Sequence, residues 1–205
     1  MAEPPRRELV LASASPSRRR LLEAAGLSFR VVPADIDEAA VKRALAGQSP
    51  KADAAAVAGS LARAKAEAVS ARFPDALVIG ADQVLALDDA LFDKPGGLAE
   101  ARTQLLRLRG KTHRLLTGVS LAQRGESIWQ HASAATLTMR AFSPEFLDRY
   151  LARAGGHVTR SVGAYEIEGM GIQLLERCEG DHFTIIGLPL LPLLAELRAR
   201  GAIDP

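Results

Sequence analysis

The sequence predicts an α/β fold in which helices flank a mixed, twisted sheet. Short apolar runs at residues 9–12 and 76–81 are bounded by turn-forming or charged residues and read as interior strands. Segments of helical period alternate with them, two opened by a Ser-Pro pair. Hairpin signals then interrupt the strand–helix units, so the sheet is not wholly parallel.

Residues 9–12 form the first strand. Ser15 before Pro16 is an N-cap followed by a proline at the first helical position. That helix turns Leu21 and Leu22 inward and stops at Gly26. Residues 29–32 make a second strand, and Asp35, Asp37 and Glu38 an acidic turn after it. Residues 50–72 are alanine-rich, with Val57, Leu61 and Val69 at helical spacing. The run 76–81 is a third strand, ending at Asp82. Residues 84–87 and 90–92 read as a small hairpin across Asp88 and Asp89. Residues 98–108 form a helix that ends at Gly110. Residues 115–122 and 127–139 are two long strands joined at Arg124 and Gly125. Ser143 and Pro144 cap a helix with Phe146, Leu147, Tyr150 and Leu151 on one face, stopped by Gly155 and Gly156. Glycines 163, 169, 171 and 180 punctuate the next stretch, and residues 188–200 close the chain as a helix with Pro189 in its first turn. No repeat, low-complexity tract or linker stands out.

Composition narrows the function classes. Hydrophobic residues make up 48% of the chain, enough for a core, and the net charge is only +2. That balance argues against nucleic acid as a partner, despite a sequence pI near 8.9. The single cysteine, Cys178, has no partner within the chain for a disulfide, which suits a reducing cytoplasm. No stretch approaches a membrane-spanning length, and residues 1–8, with two arginines and Glu8, make a poor secretory signal. The expectation is a cytoplasmic protein with no membrane partner.

Three groups carry candidate chemistry. Ser13, Ser15, Ser17, Arg18, Arg19 and Arg20 sit on a strand-to-helix turn. Such a turn aims backbone N–H groups, hydroxyls and guanidiniums at one place, which suits a polyphosphate. Its bland reading is a capped surface helix with solvated arginines. Asp35, Asp37, Glu38 and Asp82 form an acidic set from two segments, able to share a divalent cation or to stand as solvated turns. Asp82, at the carboxyl end of a strand, is where an open α/β sheet places ligand chemistry. Lys65 and Lys94 are point charges suited to phosphate, or ordinary surface lysines.

Several familiar patterns fail. Gly110-Lys111-Thr112 lacks the first glycine of a P-loop, Leu105 standing there, and Gly169-Met170-Gly171 lacks the third glycine of a dinucleotide turn. The four histidines show no zinc spacing, and there is no Gly-x-Ser-x-Gly elbow. Trp129 and Tyr165 read as core aromatics rather than stacking platforms.

Taken together, Leu11-Ala12-Ser13-Ala14-Ser15-Pro16 with Arg18-Arg19, Gly80-Ala81-Asp82-Gln83-Val84, Lys94-Pro95, Thr112-His113, Gly163-Ala164-Tyr165, Glu168-Gly169-Met170-Gly171 and Gly187-Leu188-Pro189-Leu190 resemble the motifs of the Maf proteins, in the family's order. The resemblance implies a Maf/Ham1 (ITPase-like) fold with a central cleft, residues 1–205 forming a single domain of two lobes. It implies a house-cleaning nucleoside triphosphate pyrophosphatase that uses a divalent metal, Mg or Mn, and a homodimer. By position, Asp82 matches the family's general base, and Ser13, Ser15, Arg18, Arg19, Lys65 and Lys94 its substrate-binding groups. Glu38 with Asp82 would hold the metal. Ser17, Gln83 and Glu168 fall where the subfamilies differ. The dTTP/UTP enzymes carry Arg, Thr and Gln there, and the 7-methyl-GTP enzymes Trp, Gln and Glu. The chain agrees with the second set at two positions and departs at Ser17. A rival from another class is a non-catalytic regulator of septum formation that binds nucleotide or nucleic acid; the balanced charge opposes it.

Overall fold

A computed structural model describes residues 7–48 and 53–204. Residues 1–6 of the terminus discussed above and residues 50–52 of the expected alanine-rich helix lie outside them. The strands are β1 (Leu9–Leu11), β2 (Arg30–Val31), β3 (Leu77–Leu87), β4 (Ala90–Phe92), β5 (Thr112–Gln123), β6 (Glu126–Met139) and β7 (Leu175–Glu179). They form a mixed sheet in the order β2-β1-β3-β5-β6-β7, with β4 paired to β3. β1 runs parallel to both β2 and β3, whereas β3–β4 and β6–β7 are antiparallel. The helices are α1 (Pro16–Ala24), α2 (Glu38–Gln48), α3 (Ala54–Ser70), α4 (Leu98–Leu108), α5 (Pro144–Ala154), α6 (His182–Ile186) and α7 (Leu190–Ala199). The expected α/β class with a mixed sheet is what the chain adopts.

The chain forms two compact units. The first comprises residues 1–82, 117–133 and 187–205. In it β1 is wholly buried, and the register Leu11 to Ile79 brings the turn after β1 alongside the middle of β3. α1 begins as its sequence dictates, with Ser15 accepting from the Arg18 backbone N–H and Pro16 at the first position. It ends in a Schellman motif. Gly26, at φ +75°, donates to the Glu23 carbonyl, and Leu27 donates to Leu22.

α3 lies unusually close to the sheet. A Cβ on Gly80 would meet the Ala62 carbonyl oxygen at 2.2 Å, and one on Gly118 would meet the Ala58 backbone at 2.7 Å. Glycine on the strands permits that approach to the helix at Ala58, Gly59, Ala62 and Ala66. Gly80 and Asp82 share one face of β3, because side chains alternate along a strand. The face that admits α3 is therefore the face that carries Asp82.

The second unit comprises residues 83–116 and 134–186. Its core includes Leu85, Leu105, Leu108, Leu137, Leu147 and Leu174. Buried among them, His113 Nε2 and the Tyr165 hydroxyl lie 2.6 Å apart. Tyr150 donates to the Ala164 carbonyl at 3.1 Å, holding a residue that has φ +62°.

Four expectations need correction. Asp82 does not end a strand: β3 runs through it from Leu77 to Leu87, and the first arm of the expected hairpin is the second half of the same strand. A charge is tolerated at mid-strand because a counter-charge meets it, as described below. The acidic turn opens a helix instead, with Asp37 Oδ1 accepting from the Ala40 N–H at 2.9 Å ahead of α2. The glycine-punctuated stretch holds β7 and α6. Trp129 is not core; it is half-buried on β6 and stacks on His131 at 5.9 Å.

Candidate functional site

In the first unit, residues far apart in the chain converge. Lys65, on α3, places Nζ 2.5 Å from Asp82 Oδ1 and 2.7 Å from Glu38 Oε1. The Lys65 and Asp82 side chains are each 13% exposed, and Glu38 is 48% exposed. One ammonium therefore carries two carboxylates, one nearly enclosed and one open to water. The pairing explains how Asp82 sits within a sheet without an uncompensated charge.

Arg18 closes the other side of this group. Its Nε donates to the Gly187 carbonyl at 2.7 Å, and its Nη1 to Ser13 Oγ at 3.1 Å and to the Ala81 carbonyl at 3.0 Å. Burial pulls its pKa down; the charges of Asp82 and Glu38 oppose that shift. Those three bonds hold the guanidinium rigidly by Nε and Nη1, so Nη2 is the edge suited to a ligand oxygen. Ser13, 7% exposed, also accepts from the Ser15 N–H at 3.3 Å. The result is a stiff turn at the N-terminus of α1, where the helix dipole favours an anion.

The remaining candidates are placed as follows. Arg19 is exposed and pairs with Glu23 at 2.7 Å along the helix. Ser17 accepts from Arg20 Nη2 at 3.0 Å. Asp35 is exposed and takes no part in the Lys65 group, and Asp37 serves as a helix cap that also faces Arg43 at 3.5 Å. In the second unit, Lys94 is exposed in the segment before α4. Gln83 and Glu168 line one small cavity with Tyr165, Ser161 and Ile167. Gln83 Nε2 donates to the carbonyls of Thr184 and Ile185 at 2.9 and 3.2 Å.

Sequence reasoning missed the backbone carbonyls of Ala81, Gly187, Thr184 and Ile185. A carbonyl is common to every residue, so no residue type could have signalled them. The Gly187-Leu188-Pro189-Leu190 motif was the nearest sign.

Donor chemistry allows a test for a metal. Carboxylate oxygens suit a hard divalent cation, and Glu38 with Asp82 already converge on one positive charge. Among the described residues no group of three His, Cys, Asp or Glu side chains forms a cage. The set fits a cation of the Mg²⁺ type, which takes one or two carboxylates and fills its shell with water and substrate phosphate oxygens.

With an α/β fold and this charged turn in place, comparison with known proteins identifies the group to which the chain belongs. The family model described as Maf-like protein matches residues 8–200, and the chain belongs to that family. It is 54% identical over 197 residues to a protein of Rhizobium johnstonii named 7-methyl-GTP pyrophosphatase, covering 96% of this chain and 98% of the relative. It is 53% identical over 196 residues to a protein of Paramagnetospirillum magneticum named nucleoside triphosphate pyrophosphatase, covering 96% of this chain and all of the relative. A Brucella abortus protein named 7-methyl-GTP pyrophosphatase is 51% identical. No helix among the described residues is long and apolar enough to cross a membrane.

Proposed function

We propose that this chain is a nucleoside triphosphate pyrophosphatase that hydrolyses 7-methyl-GTP or a related guanine nucleotide to the monophosphate and pyrophosphate. The observation that carries the reading is the joint seat of Asp82 and Glu38 on Lys65, under the anchored Arg18. The names of full-length relatives at about half identity support it. They do not favour a non-catalytic regulator.

The chemistry follows from charge. A triphosphate repels an incoming oxygen nucleophile, so the site must first neutralise it. Arg18 Nη2, the α1 N-terminus and Lys65 meet phosphate oxygens. The Lys65 ammonium takes Asp82 Oδ1, and Oδ2 accepts the proton of a water as that water attacks the α-phosphorus. The α–β bridging bond breaks, and its electron pair leaves on pyrophosphate. A divalent cation, Mg²⁺ or Mn²⁺, held by Glu38 and Asp82 would add Lewis-acid stabilisation of the phosphate oxygens. Arg19 and Lys94 would serve as outer phosphate contacts. Gln83 and Glu168 would read the base; without an aromatic at Ser17 the purine range is broader than 7-methyl-GTP alone. The protein would act as a homodimer in the cytoplasm, where its exposed free Cys178 stays reduced.

The test is hydrolysis of 7-methyl-GTP, GTP, UTP and dTTP in ¹⁸O-labelled water, with products read by mass spectrometry. Pyrophosphate release with label on the monophosphate is expected. Label in orthophosphate, or no turnover of any nucleotide, would overturn the reading.

A further inference from the structure

In the second unit, β7 is an edge of the sheet. Among the described residues its one strand neighbour is β6, with Thr136 opposite Glu179, Leu137 opposite Cys178 and Thr138 opposite Arg177. Residues 176–179 are all exposed. Alternate residues of such a strand point their N–H and C=O groups away from the sheet, ready to pair with another strand. The register shift against β6 lies between Thr138 and Met139, so the ladder at Arg177, Cys178 and Glu179 is regular.

Charges on an edge commonly keep other strands away. On β7 their order admits one pairing. Arg177 and Glu179 point to the same face of the strand and form an ion pair there, with side chains 70% and 50% exposed. An antiparallel strand of a second copy, centred on Cys178, sets Arg177 opposite the partner's Glu179 and Glu179 opposite the partner's Arg177. Sliding that strand by two residues sets Arg177 against the partner's Arg177, or Glu179 against the partner's Glu179. A parallel pairing in register makes both like-charge contacts at once. Opposite charges across a ladder attract and like charges repel.

We propose that the outer edge of β7 joins two copies of this chain, antiparallel about a two-fold axis at Cys178. The two sheets then continue into one, and the self-complementary order Arg177-Cys178-Glu179 sets the register. The proposal rests on the homodimer reading above and names its surface; the test separates the two.

The axis has a built-in reporter. Directly opposed residues of an antiparallel pair have Cα atoms about 4.5 or 5.5 Å apart, and a disulfide spans about 4.4–6.8 Å. Cys178 is the only cysteine in the chain, so every disulfide-linked dimer joins Cys178 to the partner's Cys178. Diamide is the oxidant; it takes up the two electrons and two protons that the thiols release. Self-association of the full chain is measured by sedimentation over a concentration series, and cross-linking by mass spectrometry. Wild type should dimerise and cross-link. Arg177→Glu and Glu179→Arg should each weaken self-association at least about tenfold, because two attractions become two repulsions. Mixed together, these two variants should form the heterodimer in preference to either homodimer. Arg177→Glu with Glu179→Arg, self-complementary again, should restore the wild-type dimer. The mixture excludes an effect of the ion pair within one chain, since both variants lack it. Salt should loosen the wild-type dimer, which carries the test if a variant does not fold. A wild-type dimer indifferent to these charges and to salt, or a mixture without preference for the heterodimer, overturns the β7 surface and leaves the homodimer reading standing. A monomeric wild type sinks both.

Discussion

Replacing Lys65 by Met isolates the interaction on which the first unit's site is built. The variant keeps the bulk of the aliphatic stem but removes the ammonium 2.5 Å from Asp82 and 2.7 Å from Glu38. Breaking a fully buried ion pair from one side costs about 3–5 kcal/mol. Here Asp82 keeps 13% of its side-chain exposure and feels the charge of Arg18, so about 2–3 kcal/mol is expected. Glu38, half open to water, adds less than about 1 kcal/mol. For a chain of this length the loss lowers Tm by about 5–10 °C. The second variant, Lys65→Met with Asp82→Asn, removes the stranded anion and should recover about half of the loss. Urea unfolding followed by circular dichroism measures both. A Lys65→Met variant within about 0.5 kcal/mol of wild type, or a double variant no more stable than the single one, would refute the reasoning.

Asp82→Asn alone should cut turnover by about 10²- to 10⁴-fold while nucleotide binding, read by calorimetry, stays within a few fold; near wild-type turnover would remove Asp82 from the chemistry. Gly80→Ala drives a Cβ to 2.2 Å from the Ala62 carbonyl oxygen, so α3 must move. It should cost at least about 1–3 kcal/mol and lower activity together with stability, because Lys65 rides on that helix. Gly59→Ala, whose Cβ meets nothing within 4 Å, is the control and should stabilise by about 0.5–1 kcal/mol. Burial pushes the His113 pKa down to about 4, below its ordinary 6.5. Between those values the unfolded chain takes up a proton that the folded chain refuses. Stability should therefore fall by up to about 3 kcal/mol as pH drops from 6.5 to 4. His113→Phe should flatten that slope in urea titrations at pH 7 and pH 4.5, and an unchanged slope would clear His113 of the effect.

Sequence alone determined what is decided by neighbours along the chain. The Ser15–Pro16 start of α1, its Gly26 stop, the bounds of α4 and the Arg124–Gly125 turn all follow from capping and turn chemistry within a few residues. The family resemblance likewise named Ser13, Arg18 and Asp82 within its motifs, and Glu38 and Lys65 by position, as residues to watch. Tertiary structure decided how they meet. Lys65 lies 17 residues from Asp82 in the chain, and their contact requires α3 to press onto β3 over Gly80. No local rule encodes that approach. β3 continues through Asp82 because its two ends pair with β1 and β4, and because a distant ammonium neutralises the charge between them. α6 is too short to announce itself by periodicity, and the carbonyls that grip Arg18 and Gln83 carry no side-chain signature. Local chemistry can be read from residue types; the partners of a charge or an amide are set by whichever groups folding brings within 3 Å.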